Sequence, residues 1–134
     1  MGERVYTAGF PTPEVLGRSL KFAEGLVNST SGLADDPRAC QVSMNVAEGL
    51  SGGPLLNARG QVTGVVINAP ALTNFFYKGH IPAGVNFAVK ASNLLALLGN
   101  LPEEVKPAAE GSPVLDAAKL AESAAGAVVL VEVK

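Results

Sequence analysis

The stretch Glu48-Gly49-Leu50-Ser51-Gly52-Gly53-Pro54 governs the interpretation of this sequence, because it sets a single serine among three glycines and a proline. Glycine adopts positive φ and allows close backbone approach, so such a stretch can fold into a tight loop with its amides turned inward. A hydroxyl in the middle of that loop would lie beside two or three backbone N–H donors, the minimum geometry for a serine nucleophile with an oxyanion hole. The alternative is a glycine-rich turn between two strands.

The segments around this loop resemble a known family. The loop is preceded by Gln41-Val42-Ser43-Met44 and followed by Pro54-Leu55-Leu56-Asn57, Gly64-Val65-Val66-Ile67 and Gly84-Val85-Asn86-Phe87-Ala88. This order resembles the C-terminal half of trypsin-like (chymotrypsin-fold) serine peptidases, nearest to the bacterial high-temperature-requirement (HtrA/Deg) type. Their loop is Gly-(Asp or Asn)-Ser-Gly-Gly-Pro, and five of its six positions match here. The resemblance runs from Glu3 to Leu98 and implies the six-stranded second barrel of such a protease.

The hydrophobic pattern independently indicates an all-β domain. Short apolar segments separated by glycine and proline predict six strands, five of them at residues 4–8, 19–28, 39–44, 62–68 and 85–89, and one within a hairpin at residues 55–61. The fourth and fifth form a hairpin through Asn57-Ala58-Arg59-Gly60. Six such strands fit a closed antiparallel Greek-key barrel, which leaves no free sheet edge. A short helix at 91–98, ended by Gly99, completes a barrel domain of residues 1–99.

The rest of the chain predicts a linker and a tail. Residues 100–112 contain two prolines and three glutamates and indicate a linker. Residues 113–134 form the tail, in which Ser112 as N-cap and Pro113 at the first helical position predict a helix that ends at Gly126. One face of this helix would hold Val114, Ala118, Ala121 and Ala125.

A strand is then expected at residues 127–133, which are strongly apolar. A helix followed by such a strand resembles the opening of a further protease-like barrel of the same family. The alternative is that the tail packs on the barrel that it follows.

Composition restricts the class of protein. With 134 residues, 48% hydrophobic and 16% charged, we expect one compact domain rather than disorder. The net charge of −2 without a basic run argues against nucleic acid as the main partner. No apolar stretch is long enough to span a bilayer, and the first residues lack a signal-peptide core, which leaves localisation unknown. The single cysteine, Cys40, is expected to be a buried apolar residue. No metal cluster or phosphate loop is present, so no cofactor is expected.

The resemblance assigns catalytic roles to the serine loop. Ser51 would be the nucleophile, and the backbone N–H groups of Gly49 and Ser51 would form the oxyanion hole. The family's histidine and aspartate lie in an N-terminal barrel that is missing here, which leaves the triad incomplete. The only histidine, His80, follows the serine, so we expect no catalytic role for it. Leu50 replaces the family's Asp or Asn and cannot hydrogen-bond, so packing must hold the loop.

The resemblance also implies a substrate pocket. Its walls would be Asn45, Val46, Ala47, Ile67, Asn68, Ala69 and Gly84, with substrate added as an edge strand along residues 67–69. No carboxylate stands at the pocket base, where Asn45 is the nearest match, so small or medium apolar residues are favoured. The alternative for Val46, Ala47 and Ile67 is ordinary barrel core.

Two functions remain open from the sequence. The first is the nucleophile-bearing half of a serine endopeptidase, close to inactive alone because it lacks the base. The second is a non-catalytic binding module derived from a protease barrel. The expected partners are a polypeptide substrate or a chain that carries the missing barrel. Homo-oligomers are also expected, because the barrel face and the tail strand would be exposed.

Overall fold

Six antiparallel strands close into a barrel in the computed structural model, which describes residues 1–67, 81–82, 84–106 and 108–133. The strands are β1 (Arg4–Gly9), β2 (Lys21–Ser29), β3 (Ala39–Val42), β4 (Pro54–Asn57), β5 (Val62–Ile67) and β6 (Asn86–Lys90). They neighbour one another in the order β1-β2-β3-β6-β5-β4, and β4 pairs back with β1 to close the barrel. The expected six-stranded barrel is confirmed, and the strand bounds lie close to the expected ones.

The alternation of residues along β1 builds two apolar clusters. Val5 points inward, into a cluster with residues of four other strands and of the serine loop, including Val42, Leu55, Val66 and Ala88. We call it the inner cluster. Tyr6 and Ala8 point outward and pack with Leu56 of β4 and with the tail. This outer cluster also includes Phe22, whose ring stacks on Tyr6 at 5.6 Å. Both faces of β1 are therefore buried, as in a strand covered on two sides.

In the described part of the chain, three short helices and two 3₁₀ turns surround the barrel. The helices are α1 (Pro13–Leu16), α2 (Leu95–Leu98) and α3 (Ala117–Ala125), and the turns are Leu33–Asp35 and Ala91–Asn93. The expected helix after the last strand is present as the turn Ala91–Asn93 followed by α2. The sequence did not predict α1, which begins with a proline after Thr12 in a left-handed conformation. Among the described residues, no helix is long and apolar enough to cross a membrane.

The tail helix α3 corrects two expectations. It begins at Ala117, because the Asp116 carboxylate accepts a hydrogen bond from Lys119 N at 2.8 Å and caps it. The hydroxyl of Ser112 instead donates to Ala109 O at 3.1 Å, so the predicted start at Ser112 and Pro113 is wrong.

The predicted apolar face of α3 is wrong as well. Leu120 and Ala124 are the buried residues, whereas Ala118 and Ala125 are exposed. The reason is that Leu120 offers more apolar surface to the outer cluster than any alanine. The predicted helix end at Gly126 is confirmed.

The strand expected at 127–133 is also wrong, since these residues form no strand in the structure. A closed barrel has no free edge to which a seventh strand could pair. Instead, the segment lies beside the barrel, where Val128 packs against the outer cluster. Packing of the tail on its own barrel was the alternative that the sequence left open.

Candidate functional site

The serine loop connects β3 to β4 and owes its shape to glycine. Gly49 has φ +93° and Gly52 has φ +84°, in the left-handed region that side chains disfavour. A Cβ atom on Gly49 would lie 2.8 Å from Phe10 O, which backbone geometry does not allow. The loop therefore requires glycine at position 49 for both conformation and space.

Backbone hydrogen bonds hold this loop as a compact turn against β5. Gly53 N donates to Leu50 O at 3.0 Å, and Leu50 N donates to Ala47 O at 3.1 Å. Gly52 N donates to Val66 O, and Val66 N donates back to Gly53 O, each at 2.9 Å. Ser51 lies at the exposed tip of the turn. The loop is thus anchored on both sides of the serine.

Leu50 holds the loop from below through apolar packing. Its side chain is 4% exposed and belongs to the inner cluster. It also fills the space beside Gly9 at the end of β1, where an added Cβ would lie 2.8 Å from Leu50 Cδ2. The residue that replaces the family's polar anchor is therefore a core residue of the barrel.

The connection from β1 to α1 supports the other side of the loop, which sequence analysis missed. Thr12 N donates to Glu48 O at 3.2 Å, and Thr12 has φ +39°, an uncommon value for a β-branched residue. From the sequence, the two prolines in Gly9-Phe10-Pro11-Thr12-Pro13 predicted only that strand pairing ends there. The backbone of this segment in fact packs against Gly49.

A buried asparagine fixes the start of the loop segment. Asn86 on β6 is 7% exposed, and its Nδ2 donates to Met44 O at 2.8 Å. Met44 is itself fully buried, directly over Gly25 of β2. A polar amide within an apolar strand was the available sequence signal for this contact.

Ser51 and Gly49 open onto a groove of about 770 Å³. One side of the groove is formed by the barrel, including Ala8, Leu56 and Val65, and the other side by α3 and residues 127–131. Apart from serine hydroxyls, its described lining side chains are apolar and carry no charge. No acid or base of the described residues therefore lines the groove with Ser51.

The residues predicted for substrate binding lie elsewhere around the loop. Asn45 and Ala47 are exposed, Val46 is buried in the inner cluster, Ile67 is half-buried at the end of β5, and Gly84 is exposed with φ +83°. The described lining of the groove includes Ser51 and Gly49 but none of these five. Asn68, Ala69 and His80 lie outside the described residues.

The described ionisable groups with shifted pKa values lie away from the groove, in contacts that support the barrel. Hydrogen bonds from Arg38 lower the pKa of Asp36 to about 2, and Lys90 Nζ donates to the adjacent Pro37 O at 2.8 Å. Burial raises the pKa of the Cys40 thiol, which lies in the inner cluster as expected. The described part of the chain contains no group of three or more His, Cys, Asp or Glu that could hold a metal ion.

Comparison with solved structures finds the same barrel in serine proteases. The active form of the protease Rv3671c from M. tuberculosis superposes with a TM-score of 0.55 and 23% identity, over 85% of this chain and 48% of that one. A serine endoprotease from Yersinia pestis superposes with a TM-score of 0.51 and 23% identity, over 74% of this chain and 30% of that one. At this identity the likeness concerns the fold.

Comparison with curated proteins finds the uncharacterized protein y4bJ of Sinorhizobium fredii, 40% identical over 126 residues. That match covers 92% of this chain but 20% of y4bJ, so the chain spans about a fifth of that relative. Residues 1–65 match the trypsin-like peptidase domain. They contain β1 to β4, the whole serine loop and the first part of β5. The chain is therefore similar to the trypsin-like peptidase domain over residues 1–65, and its closed six-stranded barrel agrees with that similarity.

Proposed function

We propose that this chain is the nucleophile-bearing half of a trypsin-like serine endopeptidase. The proposal rests on the exposed position of Ser51, on a glycine loop that opens onto a groove. Ser51 Oγ attacks the peptide carbonyl, the C–N bond breaks, and the serine proton passes through a base to the leaving amine. Water then hydrolyses the acyl-enzyme. The base is a histidine, oriented by an aspartate, on a second barrel outside this chain.

The oxyanion is stabilised by the backbone N–H groups of Gly49 and Ser51. Two features support this assignment. The positive φ of Gly49 turns the chain sharply just before the serine, and the bond from Gly53 N to Leu50 O closes the turn around it. Preformed amide donors stabilise developing negative charge without reorganisation, which is usually the largest single contribution to catalysis.

The substrate residue before the cleaved bond is small or medium-sized and apolar. Asn45 and Ala47 are exposed beside the loop and available for contact, whereas Val46 supports them from the inner cluster. Ile67 stands at the end of β5, one residue after the strand bonds to the serine loop through Val66. An extended substrate pairs there with residues 67–69 through backbone hydrogen bonds.

Labelling with a fluorophosphonate probe, followed by mass spectrometry, tests the proposal in the whole chain. Without a base, we expect labelling at Ser51 to be slow, because loss of the histidine costs roughly 10⁶-fold in rate in a comparable protease. Added imidazole is expected to accelerate labelling at Ser51 and not at Ser123, an exposed serine that lines the same groove. Equal labelling of the two serines with imidazole would contradict the nucleophile assignment, and fast labelling without it would contradict the external base.

A non-catalytic peptide-binding module is the second candidate, and Leu50 favours it. The polar anchor of the family's loop is replaced here by a buried leucine, whose side chain packs and does not hydrogen-bond. Under this candidate, imidazole has no effect on labelling of Ser51. Extended apolar peptides would then bind the chain and its Ser51→Ala variant equally, and neither would cut them.

A further inference from the structure

The groove beside Ser51 extends to one side of the serine loop. Its described lining includes Ser51 and Gly49 but not Asn45, Ala47 or Ile67, which are proposed to contact the substrate before the cleaved bond. A peptide whose carbonyl lies at Ser51 Oγ continues past the serine in both directions, because the cleaved bond joins two parts of one chain. The groove is therefore open to the part of the substrate that follows the cleaved bond.

The tail forms one wall of this groove and is attached to the barrel. Ala124 of α3 is 5% exposed and packs in the outer cluster. Ala127 N and Val128 N both donate to Ala124 O at 3.0 Å, and Val128 packs against the same cluster. Leu130, which also lines the groove, is 36% exposed. Residues 127–131 are thus continuous with α3 and lie in a defined position beside the serine loop.

The chemistry of the groove favours apolar groups over charged ones. Its volume of about 770 Å³ is in the range in which pockets bury most of a small ligand. Val62 and Val65 line it from the barrel, and Val129, which is 75% exposed, lines it from the tail. The first charged residue after this wall, Glu132, is already paired, since its Oε1 lies 2.9 Å from Arg18 Nη1. A charged substrate side chain would therefore lose hydration here without gaining a partner among the described lining residues.

The barrel side of the groove offers side chains rather than a free sheet edge. Three strands form this side, and each is paired with two neighbours: β1 with β2 and β4, β4 with β1 and β5, and β5 with β4 and β6. A strand that is paired on both sides has no edge for a further strand. Recognition on this side of the serine loop therefore depends on the burial of substrate side chains and not on backbone pairing with the barrel.

We propose that the groove binds the substrate residues that follow the cleaved bond and selects apolar, uncharged side chains for them. Val62 on the barrel and Val129 on the tail determine this selectivity, because both are exposed and line the groove. The inference rests on the proposed function, since attack by Ser51 Oγ sets where the substrate lies. The tail thereby adds a wall to the site that the barrel alone does not have.

Disulfide tethering to the full chain tests the groove with the ligand anchored at position 51. Ser51→Cys supplies a thiol that exchanges with cystamine amides of N-acetyl-leucine or N-acetyl-aspartate in the presence of 2-mercaptoethanol. The concentration of 2-mercaptoethanol that releases half of each compound, read by intact mass spectrometry, measures how well the compound binds beside the anchor. We expect this concentration to be roughly tenfold higher for the leucine compound. Cys40 is 8% exposed and is expected to stay unlabelled.

Three further substitutions in the Ser51→Cys background show which side of the loop holds the compound. Val129→Asp is expected to remove the preference for leucine, because it places a carboxylate in the groove. Val133→Asp is the matched control, since Val133 belongs to the same segment, is 95% exposed and is not part of the described lining. Ala47→Asp, an exposed position on the other side of the loop, is also expected to keep the preference. Circular dichroism checks that each variant keeps the barrel.

Two results would overturn this selectivity. One is equal retention of the leucine and aspartate compounds by Ser51→Cys. The other is a preference that is lost in Ala47→Asp and kept in Val129→Asp, since the compound would then lie outside the groove. The thiol serves as an anchor and needs no base, so neither result reads the chemistry of Ser51. Labelling of Ser51 with imidazole tests the proposed function separately, and a failure of the tethering experiment leaves that function standing.

Discussion

Replacement of Leu50 tests whether packing holds the serine loop. Its side chain is 4% exposed and packs in the inner cluster, beside the space that Gly9 leaves open. Truncation of a buried leucine to alanine costs about 2–5 kcal/mol, depending on how far the surroundings collapse. Because Leu50 is on a loop that can relax toward the cavity, we expect the lower half of that range, about 2–3 kcal/mol.

Leu50→Asn is the sharper variant, because it introduces a residue that the family uses at this position. Here it buries an amide among apolar side chains, and a buried polar group without partners costs a further 1–3 kcal/mol or so. Leu50→Asn is therefore expected to be less stable than Leu50→Ala. Leu97→Ala serves as the control, since Leu97 is 67% exposed and its truncation is expected to change stability by less than about 0.5 kcal/mol.

Thermal unfolding followed by circular dichroism measures these differences. For a domain of this size, 1 kcal/mol corresponds to a shift of roughly 3 °C in Tm. We expect Leu50→Ala to lower Tm by about 6–9 °C and Leu50→Asn to lower it further. If Leu50→Asn were as stable as the unaltered chain, the loop would have a polar anchor available and the packing argument would be refuted.

Two further predictions concern polar groups away from the loop. Thr7 is fully buried on β1, and its Oγ1 has no hydrogen-bond partner among the described residues. Because valine removes this buried polar atom, Thr7→Val is expected to raise Tm by about 3 °C. A lower Tm for Thr7→Val would reveal that the hydroxyl has a partner. Asp36 has a pKa lowered to about 2 by its hydrogen bonds with Arg38, below the ordinary value of about 4 for an unfolded chain. A carboxylate whose pKa is lowered in the folded state adds stability above pH 4, and this stability is lost as the pH falls through 2. The Tm difference between the unaltered chain and Asp36→Asn is therefore expected to shrink between pH 4 and 2. A difference independent of pH would contradict this assignment.

The barrel could be predicted from the sequence because its signals are local. Alternating apolar residues in β1 and glycine at the turns are features of a few consecutive positions, and a closed barrel follows from their number and spacing. The tight turn of the serine loop could be predicted as well, because Gly49 and Gly52 adopt positive φ, which favours glycine at these two positions. The role of Leu50 followed from what leucine cannot do, namely form a hydrogen bond.

The tail could not be predicted in the same way, because its structure depends on distant residues. The buried face of α3 is chosen by the outer cluster, whose members Tyr6 and Leu56 lie far away in sequence. Residues 127–133 have high strand propensity, yet the closed barrel offers them no edge. The groove is likewise a product of this docking, since one of its sides is made by α3 and residues 127–131.

The two sides of the groove consequently differ in how they can move. Displacement of the serine loop requires removal of Leu50 from the inner cluster, so opening the loop costs about as much as the loss of that packing, roughly 2–3 kcal/mol. Among the described residues, the segment 127–131 is held by Val128 packing and by the bonds from Ala127 N and Val128 N to Ala124 O, and past it lies an exposed ion pair. Because Gly49 and Ser51 are on the first side, any opening of the groove leaves their backbone geometry intact. Under the proposed function, in which a separate barrel supplies the base, the serine loop must keep its shape on its own, and Leu50 provides the packing for this.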